Sequence, residues 1–128
     1  MKILLDTHLL LWAAGQPNQL SMSARTYLDD LNNELIFSPA SLWEIAIKRK
    51  LGRPDFRVDP RLLRRGLLDN GYTELAITSD HTIAVDDLPL HHKDPFDRIL
   101  VAQSFIEGII LLSADPLLTQ YSDLVRKV

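Results

Sequence analysis

Short runs of continuously apolar residues alternate along the chain with stretches whose apolar positions recur every three or four residues. KILLD (2–6), ELIF (34–37), YTELAI (72–77) and IILLS (109–113) read as four short strands, and LVRKV (124–128) as an edge strand. Helical spacing and end signals mark the intervening segments. THLLLWAAG (7–15) is a short helix ended by Gly15. SMSARTYLDDLNN (21–33) has serine caps and apolar residues at Met22, Tyr27, Leu28 and Leu31. Ser38 and Pro39 supply a cap and first turn for PASLWEIAIKRKL (39–51), which Gly52 closes. DPRLLRRGLLDNG (59–71) opens on Asp-Pro and closes at Gly71, and TSDHTIAVDDL (78–88) reads as a short helix and loop. DPFDRILVAQSFIEG (94–108) is a helix closed by Gly108, and DPLLTQY (115–121) is a short one.

Continuously apolar strands alternating with helices predict a three-layer α/β/α fold with a mainly parallel central sheet. In such sheets ligands bind beyond the carboxyl ends of the strands. Two aspartates fall there: Asp6, directly after the first strand, and Asp115, just after the fourth.

Composition narrows the classes. A chain of 128 residues, 46% hydrophobic and 24% charged, reads as a single domain, 1–128, with a core of its own. The absence of cysteine excludes disulfides and thiolate metal sites and fits a reducing cytoplasm. No apolar run is long enough to span a bilayer. Asp6 and His8 interrupt the apolar N-terminus, which argues against a signal peptide. A net charge of −3 does not mark a nucleic-acid binder. Its distribution says more: Lys48, Arg49, Lys50, Arg53, Arg57, Arg61, Arg64 and Arg65 fall in one stretch, opposed only by Asp55 and Asp59. That split predicts a basic face beside an acidic site. No dinucleotide-binding, P-loop or nucleophile-elbow motif is present.

Taken singly, each acid has a structural explanation. Asp6 and Asp115 can cap the helices that follow them. Glu44 lies in LWEIAIK, a segment apolar on most sides and therefore expected to be largely buried. An i,i+4 pair with Lys48 would be worth only about 0.2–0.5 kcal/mol, weak compensation for a buried carboxylate. Asp94 can cap the 94–108 helix, with Pro95 in its first turn and Arg98 spaced to pair with it. Asp97 is then surplus to capping. Taken together, four or five carboxylates at helix starts and strand ends would converge and repel one another. A hard divalent cation would neutralise them, and an oxygen-only set suits Mg²⁺ or Mn²⁺. The adjacent His91 and His92 diverge and lack the spacing of a zinc pair, so both read as solvated loop residues; His8 and His81 carry no clearer signal.

Four separated stretches, ILLDTHLLLW (3–12), SPASLWEIAIK (38–48), HHKDPFDRILVAQ (91–103) and LLSADPLL (111–118), resemble the PIN-domain family in order and over nearly the whole chain. More narrowly they resemble its VapC-type ribonuclease toxins of type II toxin–antitoxin pairs. The resemblance implies a PIN-like fold and a Mg²⁺- or Mn²⁺-dependent endoribonuclease. Its catalytic and metal-binding acids match Asp6, Glu44, Asp97 and Asp115. Asp94 belongs to the HxDPFDR form of the motif, as a neighbour of the metal rather than its main ligand. Thr7 and Ser113 match supporting hydroxyl positions. The implied reaction is attack of a metal-activated water on an RNA phosphodiester, leaving a 5′-phosphate and a 3′-hydroxyl. Targets in the family include transfer, ribosomal and messenger RNAs. The implied partners are RNA, a cognate antitoxin and a second copy in a homodimer. Lys48, Arg49, Arg53 and Arg98 are the candidate RNA or antitoxin contacts.

Two other readings compete. A receiver-like signalling domain would also gather acids around Mg²⁺, but it needs a phosphoacceptor aspartate after a middle strand and a lysine after a late one. ELIFSPAS and IILLSADP supply neither. A non-catalytic PIN-like protein-binding module would be favoured by an incomplete acid set, and the set is complete.

Overall fold

The computed structural model describes residues 1–128. Five strands, β1 (Lys2–Leu5), β2 (Glu34–Phe37), β3 (Thr73–Glu74), β4 (Ile110–Ser113) and β5 (Val125–Lys127), form one sheet in the order β3-β2-β1-β4-β5. Every pairing is parallel, as predicted. Six helices accompany them: α1 (Thr7–Gly15), α2 (Met22–Asp29), α3 (Pro39–Lys50), α4 (Pro60–Asp69), α5 (Ser79–Ala84) and α6 (Pro95–Glu107). Short 3₁₀ turns cover Pro17–Gln19, Val85–Asp87 and Pro116–Gln120.

The apolar runs of the strands are continuous because both faces of the sheet are covered. Ile3, Leu5, Ile110 and Leu112 point to one core, with Leu9 and Leu10 of α1, Ile45 of α3, and Leu63 and Leu67 of α4. Leu4, Ile36 and Leu111 point to the other, with Leu100 and Val101 of α6. Each fully buried Leu or Ile contributes about 1.5–3 kcal/mol of transfer free energy. Ile3 stands in register with Leu35 on one side and Ile110 on the other, so β1 is the central strand.

Several boundaries move. The 21–33 segment is helical only to Asp29; an Asp30–Asn33 turn follows, and Leu31 is fully exposed. Only Thr73 and Glu74 of the predicted 72–77 strand pair in register, with one further bond from the Leu75 amide to the Phe37 carbonyl. The 115–121 segment tightens into a 3₁₀ turn. Helix α3 is less buried than its composition suggests. Ala40, Ser41, Glu44 and Ile45 form its inner stripe, while Trp43 is 61% exposed. Glu44 is on the buried stripe, so the expectation that mattered survives. No helix is long and apolar enough to cross a membrane.

Candidate active site

The chain runs outward from β1 through β2 to β3, then returns to lay β4 and β5 on the other side of β1. The crevice at such a reversal, beyond the carboxyl ends of β1 and β4, is where open α/β sheets bind ligands. Asp6 and Asp115 flank it.

Asp6 extends β1 by one bond, from its amide to the Leu112 carbonyl. Its Oδ1 caps α1 by accepting the Leu9 amide at 2.9 Å, and its Oδ2 accepts the Ser113 hydroxyl at 2.6 Å. The capping explanation therefore covers one oxygen only. Burial raises the Asp6 pKa, against the lowering effect of the Ser113 and Leu9 bonds. Ser113 Oγ also accepts the Asp115 amide at 3.0 Å, so one hydroxyl ties both acids together. Thr7 donates to Ser41 Oγ at 3.0 Å and pins the start of α1 to the first turn of α3.

Glu44 enters from α3. Its side chain is 4% exposed, and Oε2 makes the anticipated i,i+4 pair with Lys48. Oε1 is buried with no hydrogen-bond partner. Such an orphan is costly and calls for a cation or a donor.

Helix α6 brings Asp94 and Asp97. Asp94 Oδ1 caps the helix, accepting the amides of Phe96 (2.8 Å) and Asp97 (3.3 Å). The carboxylate of Asp97 takes no part in capping. Burial and the charges of Asp94, Asp6, Glu44 and Asp115 push its pKa up to about 7. Each of the other four acids thus acts on Asp97. Asp115 Oδ1 caps the Pro116–Gln120 turn through the Leu117 amide, leaving Oδ2 to face the crevice side chains.

One member of this cluster departs from expectation. His92 is not a solvated loop residue: it is half-buried, with Nε2 3.0 Å from Asp97 Oδ2 and 3.1 Å from Asp115 Oδ2. His92, Asp97 and Asp115 each present a ligand atom within 4.8 Å of the others. The carboxylate oxygens of Asp97 and Asp115 are the donor type that a hard divalent cation takes, as is the orphan oxygen of Glu44.

A PIN-domain family model matches residues 3–124. The chain belongs to the PIN-domain family. The fold is therefore not that of a receiver domain. Among solved structures, this PIN domain is similar to VapBC2 from Rickettsia felis bound to a promoter DNA fragment (TM-score 0.73, 14% identity, covering 99% of this chain and 98% of that one). It is also similar to VapBC-1 from nontypeable Haemophilus influenzae (TM-score 0.63, 15% identity, 99% and 98% covered). A third likeness is to a domain of a functionally unknown Methanocaldococcus jannaschii protein (TM-score 0.59, 14% identity, 99% and 90% covered). No curated protein matches the chain.

The PIN domain uses its basic residues unevenly. Arg98 does not pair with Asp94. Its guanidinium donates to the carbonyls of Pro89, His92, Val85 and Leu88 and to Tyr121 Oη, all at 3.0–3.3 Å. Arg98 therefore braces the 85–92 segment. Lys48 is held by Glu44 and lies over the rings of Phe56 and Phe96. Arg49 and Arg53 remain exposed. Arg49, Lys50 and Arg61 line a cleft of about 610 Å³ between the end of α3 and the start of α4.

The histidines needed the tertiary structure. His91 is exposed, its ring edge-on to Tyr121. His8 lies 3.4 Å from Asp55. His81 is fully buried, closes a capping box with Thr78 and meets Glu107 at 2.9 Å, joining α5 to α6. For His92 the one available signal was its place in the HxDPFDR motif, two residues ahead of the helix cap.

Proposed function

We propose that this PIN domain is a divalent-metal-dependent endoribonuclease acting as the toxin of a toxin–antitoxin pair. The observation that carries the reading is the convergence of Asp6, Glu44, Asp94 and Asp115 on Asp97, which pushes the Asp97 pKa to about 7. A cluster this costly to ionise has a function when it binds a cation. Family membership and the likeness to the two VapBC structures support the same reading.

Asp97, Asp115 and Glu44 would hold Mg²⁺ or Mn²⁺, with Asp6 completing the set through the oxygen it shares with Ser113. The bound cation supplies Lewis-acid activation of water and neutralises charge developing on the phosphate. The protein's own part is positional. Ser113 fixes Asp6 against Asp115, α6 fixes Asp97, and the Asp94 cap fixes the start of α6. No side-chain nucleophile is required, because water adds across the phosphodiester to leave a 5′-phosphate and a 3′-hydroxyl. The exposed Arg49 and Arg53, beside the Lys50 and Arg61 cleft, supply positive charge for the RNA backbone. The larger apolar cleft, about 710 Å³ and lined by Leu20, Leu28, Leu35, Val58 and Leu62, suits a docked antitoxin segment. A homodimer is part of the same proposal.

RNA cleavage with Mg²⁺ or Mn²⁺, comparing wild type with Asp6→Asn and Asp97→Asn, tests this directly. Cleavage by the wild type and its loss in both variants is the expected result. Equal cleavage by all three, or none by wild type with any divalent ion, would favour the non-catalytic binding module.

A further inference from the structure

His92 is held in place from both sides of the acidic crevice. Its amide donates to Tyr121 Oη at 2.8 Å, and its carbonyl accepts from Arg98 Nη1 at 3.3 Å. Tyr121 directly follows the turn that Asp115 caps, and Arg98 directly follows Asp97. The residues that anchor the histidine therefore adjoin the two acids its ring touches.

The ring itself is set by Asp94, whose backbone amide donates to His92 Nδ1 at 3.2 Å. A ring nitrogen that accepts carries no proton, so the imidazole N–H is on Nε2. That N–H is directed to Asp115 Oδ2 at 3.1 Å, and Asp97 Oδ2 lies 3.0 Å from the same nitrogen. To ligate a cation, Nε2 would have to give up its proton to Nδ1, which would then face the Asp94 N–H donor to donor. The local bonding thus builds His92 as a donor to the Asp115 carboxylate, not as a metal ligand.

A donor and a cation compete for the same carboxylate lone pairs. We infer that His92 is a positioning residue whose Nε2–H, donated to Asp115 with Asp97 Oδ2 against the same nitrogen, sits between the two acids in the cation-free protein and yields that place when a divalent cation binds. It keeps two mutually repelling carboxylates assembled and weakens cation binding in doing so. This rests on the reading of Asp97 and Asp115 as cation ligands, but it requires no RNA cleavage.

The test needs no substrate. Calorimetric titration of metal-free protein with MnCl₂ and MgCl₂ compares wild type, His92→Ala and His92→Gln. Removing the competing donor in His92→Ala is expected to tighten Mn²⁺ binding by about threefold to tenfold and to lower the Tm of the cation-free protein. His92→Gln, which restores an N–H at similar reach, is expected to lie nearer wild type in both. Weaker Mn²⁺ binding in His92→Ala would overturn the inference and make His92 a ligand. Unchanged binding, a Gln variant identical to Ala, or no cation binding to any of the three would overturn it too. Imidazole ¹⁵N spectra of the wild type read the same point without a mutation. Nε2 is expected to be protonated before and after Mg²⁺ is added, with its hydrogen bond to Asp115 broken by the ion. Loss of that proton on adding Mg²⁺ would refute the donor assignment. Failure of RNA cleavage would leave all of these readouts intact, so the two proposals fail separately.

Discussion

Ser113 donates its hydroxyl to Asp6 Oδ2 across 2.6 Å, joining the carboxyl ends of β4 and β1 over 107 residues of sequence. Ser113 Oγ in turn accepts the Asp115 amide. Ser113→Ala leaves a buried carboxylate oxygen without its donor and frees the turn that carries Asp115. The expected cost is about 1–3 kcal/mol, and the Asp6 pKa should rise further, because this bond leads the effects that hold it down. Urea unfolding without divalent cations checks the first, and a change under about 0.5 kcal/mol would contradict it.

Asp97 makes the cation-free protein sensitive to pH. Its folded pKa, about 7, lies above the ordinary 3.8, so the folded state keeps a proton that the unfolded chain has lost. Stability should therefore fall as pH rises from about 4 to about 7 and level off above that, by on the order of 2–4 kcal/mol. Asp6, shifted the same way, adds to the trend. Asp97→Asn should flatten most of the slope and melt higher than wild type at pH 8 in EDTA. Denaturation series at several pH values would read this; a wild-type stability rising through that window would refute it.

The two acids of DPFDR should separate by function. Asp94→Asn keeps a good helix cap and should lower RNA cleavage less than about tenfold. Asp97→Asn removes a proposed cation ligand and should lower it by about a hundredfold or more. Single-turnover cleavage at saturating Mg²⁺ measures both, and equal losses would place Asp94 among the ligands.

Arg98 reaches four carbonyls and a tyrosine hydroxyl. Arg98→Ala should destabilise by about 2 kcal/mol or more, with faster hydrogen exchange around residues 85–92. Lysine cannot reproduce the planar fork, so Arg98→Lys should recover little. If Arg98→Ala weakened RNA binding with stability unchanged, the residue would be a contact after all.

Much of the fold was legible because its signals are local. The strands at 2–5, 34–37 and 110–113 show unbroken apolar runs. The Asp-Pro and Ser-Pro starts fall at true helix or turn starts, and Gly108 adopts the left-handed conformation that closes α6. Where boundaries moved, tertiary packing overrode propensity. Tyr72, Leu75 and Ile77 favour a strand, but β3 is an edge with only β2 to pair with, and it stops after two residues in register.

The sequence by itself determined the parallel α/β/α order, the PIN resemblance and the acids at strand and helix ends, because each is written in neighbouring residues. Only the tertiary structure decided which oxygens caps consume, which remain free, and where the long polar side chains go. It gave one Asp6 oxygen to Ser113, left Glu44 Oε1 without a partner, and turned Arg98 from Asp94 to the carbonyls of the 85–92 segment. It also brought His92 between Asp97 and Asp115. The reason is physical: hydrogen bonds act over about 3 Å in space, and residues 23 positions apart meet only after the sheet has formed and carried α6 and the Asp115 turn to the same edge.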